Sequence, residues 1–419
     1  MQQGDSLSRA IDPVIGCRAL GAFRALHSFK DTFVLLHGLM GCHSGFAVLR
    51  LLQNNIDVRV MTTGMHQDDV VYGGEEHVYR AIVEVYRRAR PRAIAVVECC
   101  ASALIGDDIE SAISRARRDG VAVPIVHIDG GGFHSDAKKG FEEALVKIYE
   151  AMHDRIKAGG RDSGSGRTVC FVGVKLDEYR AEQDMNEIRR LFKAMGIDVI
   201  YVPGSSVQAL EALARCDILA VVGGDGIELA RRVEKDFGVP YIVTVYPFGI
   251  STTIDMLYTI AKDLGVSSSA VDSLVDRELR KVRRVVEKSW IYLKTLLYSE
   301  ALVIGSPGRA LGLATMLSRD LQMAIRTVLT YYPIPVHSCI PIEVIEDRSA
   351  VVERIDDGVD IVFGSSFDEP LLRCRGIPIV EYDYPVLHKL ALSSSPLAGF
   401  RGIATWIEEI VYALKVAKR

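Results

Sequence analysis

The stretch PRAIAVVECCASALIGDDIESAISRARRDGVAVPIVHI (91–128) decides the class of this chain. An uncharged apolar run, AIAVV, is too short for a helix and rich in β-branched residues, so it reads as a buried strand. It ends in Cys99-Cys100, passes through IGDD, and continues into an amphipathic pattern at 109–119. A second apolar run follows at 124–128. Strand, helix, strand in that order is the βαβ unit of a parallel sheet.

Outward from there the alternation repeats. Strands are expected at 32–36 and 57–61 before this unit, with a helix at 74–89. The glycine-rich HIDGGGF (127–133) and a helix at 140–157 close the first set. KAGGRDSGSGR (157–167) is polar, without a periodic apolar face, and reads as a flexible linker. A second set then alternates strands at 168–173, 198–202, 217–222 and 241–245 with helices at 181–195, 207–214 and 227–236. Residues 263–300 are helical and highly charged, and the run DRELRKVRRVVEKSW reads as a solvated helix face. A third set opens with the strand ALVIG at 301 and continues through strands at 334–336, 360–364 and 378–382. The expectation is an α/β chain of three Rossmann-like, doubly wound domains with parallel sheets, spanning 1–160, 168–300 and 301–419.

The 419 residues carry a net charge of −4, with 49% hydrophobic and 25% charged residues. Those values suit an ordinary globular chain and point neither to a nucleic-acid groove nor to a polybasic membrane anchor. No uncharged apolar run reaches the ~20 residues that span a bilayer. The start, MQQGDSLSRAIDP, has no apolar core of signal-peptide length. Eight cysteines in so long a chain are not a secreted disulfide framework. These features give the expectation of a cytoplasmic protein with reduced thiols.

Three cysteines occupy the same kind of place: a glycine-containing turn that leads into a helix. They are Cys17 in IGCRALGAF, Cys42 in LLHGLMGCHSG and Cys100 in VVECCASALIGDDI. Helix N-termini favour negative charge and lower thiol pKa values, so such thiolates suit an anionic iron–sulfur cluster. Three ligands are one short of a four-cysteine cluster, which places the remaining ligands on another chain. Cys99 and Cys100 adjoin, so only one of them faces the cluster. The spacing excludes a zinc ribbon, since no C-x₂₋₄-C pair occurs.

Other motifs have plainer readings. HGLMGC (37–42) resembles a hydrolase oxyanion loop, but the chain has no G-x-S-x-G nucleophile elbow. Asp107 and Asp108 lie where carboxylates complement a helix dipole, and Glu75 and Glu76 do the same after Gly73-Gly74. His66 reads as a surface-loop residue. GGDG (223–226) follows a strand and precedes a helix; it serves as a tight connection as readily as a phosphate loop. Cys170 and Cys216 read as core.

Taken in order, the motifs resemble the nitrogenase component 1 family. They are CRALGA (17–22), HGLMGC (37–42), DDVVYGG (68–74), Cys100 six residues before Gly106 of IGDD, HIDGGGF (127–133), GVPYIVTVYPFGISTT (238–253) and PLAGFRGIATWIEEIV (396–411). The register chooses Cys100 over Cys99. The resemblance implies three Rossmann-like domains around a shallow cleft. It also implies that Cys17, Cys42 and Cys100 supply one chain's share of a cluster bridging two subunits. That cluster would be of the [8Fe-7S] P-cluster type or a [4Fe-4S] cluster. YPFGISTT has no cysteine and GIPIVEYDYPVLHKL (376–390) lacks a Met-His-Ser style ligand loop, so the likeness is to the β-type subunit, which does not ligate the active-site cofactor. His388 is then structural.

The resemblance further implies an α-type partner in an α2β2 assembly and an ATP-dependent iron protein as electron donor. The activity would be that of nitrogenase or of a nitrogenase-like enzyme such as a methylthio-alkane reductase. Within the same family the alternatives are a cofactor assembly scaffold and a tetrapyrrole reductase.

Overall fold

The computed structural model describes residues 12–416 apart from 54–58, 133–134, 159–165, 205, 295, 334–335, 347, 356–357 and 374. Most of the expected 157–167 linker therefore lies outside the described residues.

Three parallel sheets follow one another along the chain. The first contains β1 (Thr32–His37), β2 (Val60–Thr62), β3 (Ala93–Glu98) and β4 (Ile125–Ile128) in the order β2-β1-β3-β4. The second contains β5 (Arg167–Val172), β6 (Ile197–Val202), β7 (Ile218–Val222) and β8 (Tyr241–Thr244) in the order β6-β5-β7-β8. The third contains β9 (Glu300–Gly305), β10 (Ala324–Thr330), β11 (Ile342–Val344), β12 (Ile361–Gly364) and β13 (Ile379–Glu381) in the order β11-β10-β9-β12-β13. Each order reverses direction beside its first strand, as in doubly wound folds. Helices cover both faces, so β3 is buried at every residue and needs no polar alternation.

The sheet units share their cores. Val34, Leu36 and Val97 of the first sheet lie in one apolar cluster with Cys170, Val172 and Leu219 of the second. Phe171 and Ile218 share another with Val303 and Phe363 of the third, closed by Trp406 of the Gly399–Val416 helix. Ile15 packs far from its own sheet, among Leu302, Ile304 and Val362.

The third sheet differs from expectation. Of the strand expected at 334–336, Ile334 and Pro335 lie outside the described residues, and Val336 is in no strand. The strands run instead at Ala324–Thr330 and Ile342–Val344. AIRTVLT alternates exposed and half-buried positions before its buried end, so it lacks the continuous apolar run that marks the central strands. The helix expected at 207–214 is a 3₁₀ segment, Val207–Ala212. The charged segment 263–300 contains the long helix Ser268–Leu293, anchored by Val271, Leu274, Val275 and Val282. Cys170 and Cys216 are buried in the core, as expected; with Cα atoms 6.0 Å apart they are joined as a disulfide, whereas the sequence reading kept all thiols reduced.

Candidate metal centre

The expected ligands gather where the first sheet reverses its winding. β1 and β3 are neighbours in register, with His37 opposite Glu98. The chain leaves them side by side, toward β2 in one case and β4 in the other, the switch point at which open α/β sheets place their sites. The Met40–Leu52 helix carries Cys42 in its first turn. Cys99 caps and Cys100 opens the Cys100–Ile105 helix, which Gly106 ends with φ +71°. Cys17 caps the Arg18–His27 helix, and its Sγ accepts the Leu20 N–H at 3.3 Å. That helix packs on Ala137–Ala158 at close range: a Cβ on Gly21 would lie 1.8 Å from Ala137 O, and one on Gly140 2.1 Å from Arg18 O. The glycines of CRALGA and at position 140 thus bring Cys17 to the sheet.

Cys17, Cys42 and Cys100 are half-buried, and Cys99 is buried. Burial pushes the Cys17 thiol up to about 11, and the neighbouring Cys100 and Cys42 add to the rise, while the Leu20 N–H opposes it. A thiol–thiol hydrogen bond from Cys99 lowers Cys42, and the same contact raises Cys99. Cys99 also feels Cys17 and Cys100, so all four thiols share one neighbourhood. Among the described residues no three His, Cys, Asp or Glu side chains converge on a single metal ion. Several thiols in one neighbourhood are the donor set that suits an iron–sulfur cluster. Iron would also supply the positive charge that a buried Cys17 thiolate lacks.

The surrounding residues hold this arrangement. The segment 127–132 abuts the end of β3: a Cβ on Gly130 would lie 1.9 Å from Glu98 O, and Gly132 faces Cys100 Sγ. Asp129 accepts the Gly131 N–H at 2.9 Å and pairs with Arg18, which also pairs with Glu143. Glu98 and His127 are joined at 2.9 Å.

Asp107 differs from expectation. Only Asp108 caps the next helix, through the Ser111 N–H at 2.9 Å. Asp107 instead takes the Gly74 N–H at 2.8 Å and meets His37 Nε2 at 2.8 Å. His37 is fully buried, and burial holds it below the ordinary imidazole range despite Asp107. Sequence reasoning passed over this histidine. The available signal was an imidazole ending a buried strand, which needs partners on both nitrogens. His66 is exposed, as expected.

The junction of the three sheets has a different character. Arg309 is 4% exposed, meets Glu178 at 2.7 Å and Asp383 at 3.3 Å, and lies over the Tyr246 and Phe248 rings. Arg24, from the Cys17 helix, reaches in to Asp177 at 2.6 Å and stacks on Tyr384. Lys175 pairs with Asp225 of GGDG at 2.5 Å. The helix N-terminus after GGDG is already occupied by a carboxyl group: Glu142 accepts the Gly226 and Glu228 N–H groups at 2.7 and 3.2 Å. That intramolecular carboxyl group takes the place of the phosphate considered for the loop. His388 is joined to Glu381 at 2.6 Å and lies outside the thiol site.

The thiols thus cluster at the winding reversal of the first of three doubly wound sheets. The chain belongs to the nitrogenase component 1 type oxidoreductase family, whose model matches residues 17–415. It is 23% identical over 450 aligned residues to the nitrogenase molybdenum-iron protein beta chain of Methanococcus maripaludis, covering 96% of this chain and 93% of that one. The nitrogenase iron-molybdenum cofactor biosynthesis protein NifE of Clostridium pasteurianum is also 23% identical, over 94% of this chain and 86% of its own length. One of the subunits of the light-independent protochlorophyllide reductase of Chlorokybus atmophyticus is 23% identical over 94% of this chain and 81% of its own length. The fold matches the solved structure of nitrogenase Cp1 at pH 6.5 with a TM-score of 0.80 at 19% identity, over 97% of this chain and 93% of that chain.

Proposed function

We propose that the chain is the β-type subunit of a nitrogenase-like reductase and that Cys17, Cys42 and Cys100 hold its half of an inter-subunit iron–sulfur cluster. An iron–sulfur cluster there would supply one-electron carriage. Electrons would come from an ATP-dependent iron protein and go to a substrate or cofactor site mainly on an α-type partner, in an α2β2 assembly in the cytoplasm. The chain's own residues bind, orient and shield. The three thiolates are ligands, the helix N-termini under them favour negative charge, and the end of β3 at Glu98 with the Gly130 turn against it closes the inner side. The proposed domains are 1–160, 168–300 and 301–419, with the thiol site in the first.

One observation carries this reading: the thiol site lies among uncovered apolar side chains. Leu39 and Met40 precede Cys42 and are 39% and 51% exposed, and Leu104, on the Cys100 helix, is 75% exposed. Val71 and Tyr72, 75% and 87% exposed, lie on the Asp69–Tyr72 helix that packs against it. Val48, Leu51 and Leu52 extend the patch along the Cys42 helix. An apolar surface of this kind around an incomplete ligand set suits a subunit interface. Among the described residues, the cavities at the Arg309 junction are lined by no cysteine or histidine, which supports the non-ligating, β-type assignment.

The test is anaerobic co-purification with an α-type partner, followed by iron analysis and electron paramagnetic resonance. Iron in the complex that disappears with the chain's thiols is the expected result. A complex without iron removes the cluster reading. Cofactor ligated by residues of the second or third sheet unit of this chain overturns the β-type assignment.

A further inference from the structure

His37 grips the short Cys100–Ile105 helix at both ends. Its carbonyl oxygen accepts the Cys99 N–H at 2.8 Å and the Ser102 hydroxyl at 2.7 Å, at the start of that helix. Its Nε2 meets Asp107 Oδ2 at 2.8 Å, one residue beyond Gly106, where the helix stops. A carboxylate only accepts, so Nε2 carries the hydrogen; Nδ1 then accepts from the Thr63 hydroxyl at 2.8 Å. Asp107 uses its second oxygen on the Gly74 N–H. The His37 ring thereby links the end of β2 and, through Asp107, the Gly74 turn, while its carbonyl holds the exit of β3.

The geometry of this knot is tight. A Cβ on Gly74 would lie 2.9 Å from both Asp107 Oδ2 and His37 Cε1, so no larger residue fits without a shift. The His37 and Asp107 side chains are 0% and 4% exposed. His37 is also the last residue before the Gly38 turn that delivers Cys42. Gly38 itself lies against Cys99, with an added Cβ 2.5 Å from the Cys99 Cβ. Movement of the Cys100 helix would therefore move the Cys42 turn.

We infer that the buried His37–Asp107 pair is a positioning latch that sets the Cys42 turn against the Cys100 helix, and so fixes the relation between two of the proposed cluster thiolates. The inference deepens the functional reading above and rests on it for its consequence, but the latch itself is a property of the metal-free chain. His37 and Asp107 are positioning residues, not ligands. The unit they hold is too short to be stable alone: a six-residue helix has few internal bonds and draws its order from its attachments.

The experiment combines amide hydrogen exchange on the full metal-free chain with iron content and paramagnetic resonance on the complex. In Asp107→Ala, exchange should rise about tenfold in segments 38–42 and 99–106 together, the scale of one lost buried bond to a charged group. Iron retention should fall about tenfold, as for loss of an outer-shell partner, and the cluster signal should change shape. His37→Gln keeps a side-chain donor toward Asp107 and should recover part of both effects. If Asp107→Ala does not fold, Asp107→Asn, which retains the Gly74 acceptor and the shape, carries the comparison; a smaller joint rise is expected. Faster exchange in 99–106 alone, or in neither segment, overturns the latch. A wild-type complex without iron defeats the cluster reading instead, and the exchange data still decide the latch.

Discussion

The thiol site and the three-sheet junction are both built from polar groups at the ends of buried strands, yet they are finished in opposite ways. At the junction, Arg309 pairs with Glu178 and Asp383, Arg24 with Asp177 and Lys175 with Asp225, and Arg309 lies over the Tyr246 and Phe248 rings. At the thiol site, four thiols adjoin without a common metal focus, and the side chains around them face outward. The junction pairs its charges within the chain, whereas the thiols lie half-buried beside exposed apolar side chains. A buried charge tolerates no missing partner, so a self-contained ion network closes a fold. A half-buried thiol can wait for a ligand, so the thiol site can serve assembly.

This contrast can be broken most decisively at the thiols. Cys42→Ala with Cys100→Ala should abolish bound iron in the anaerobic complex while the metal-free chain still unfolds in one cooperative transition, since each half-buried cysteine loses only its sulfur's contacts, a cost of about 1 kcal/mol. Unchanged iron would sink the ligand assignment.

The junction should respond the other way. Arg309→Ala leaves Glu178 and Asp383 buried without their cation and should destabilise folding by about 3–5 kcal/mol. Denaturant unfolding of the variant measures this, and a loss under about 1 kcal/mol would show that the network does not close the fold.

Glu142 gives a pH test of the same closure. Burial, then repulsion from Asp225, raises its carboxyl to about 7, and the Gly226 and Glu228 N–H groups offset only part of that. A carboxyl with a raised folded-state pKa contributes stability that is complete below about 4.5 and lost as pH rises through about 7. Stability should therefore decline by about 2–3 kcal/mol over that window from this group. Glu142→Gln should flatten this part of the profile, and an unaltered profile would contradict the assignment.

The smallest effect belongs to the rim of the thiol site. Tyr72→Ala removes a ring that is 87% exposed in the isolated chain. It should leave chain stability unchanged and weaken association with the α-type partner by about 1–2 kcal/mol, readable by calorimetric titration. Unaltered affinity would place the interface elsewhere.

Much of the architecture was legible from patterning. β1, β3, β5, β7 and β12 are short apolar runs between amphipathic stretches, and burial on both faces leaves them no other reading. β10 and β11 were not legible, because a partly covered strand near a sheet edge alternates like many loops. The thiols were visible as a repeated turn-before-helix context. Asp107 was misread, because its position in the chain suits a helix cap and only the fold brings His37 and Gly74 to it.

Three sheets, their parallel sense and the placement of Cys17, Cys42 and Cys100 at helix starts follow from the sequence alone, because apolar periodicity and glycine turns are local properties. Only the tertiary structure decided that Glu142 fills the anion position after GGDG, that Arg309 closes the three-sheet junction and that His37 spans the Cys100 helix. Each of these depends on groups far apart in the chain, and a buried polar atom takes whichever partner the packing delivers.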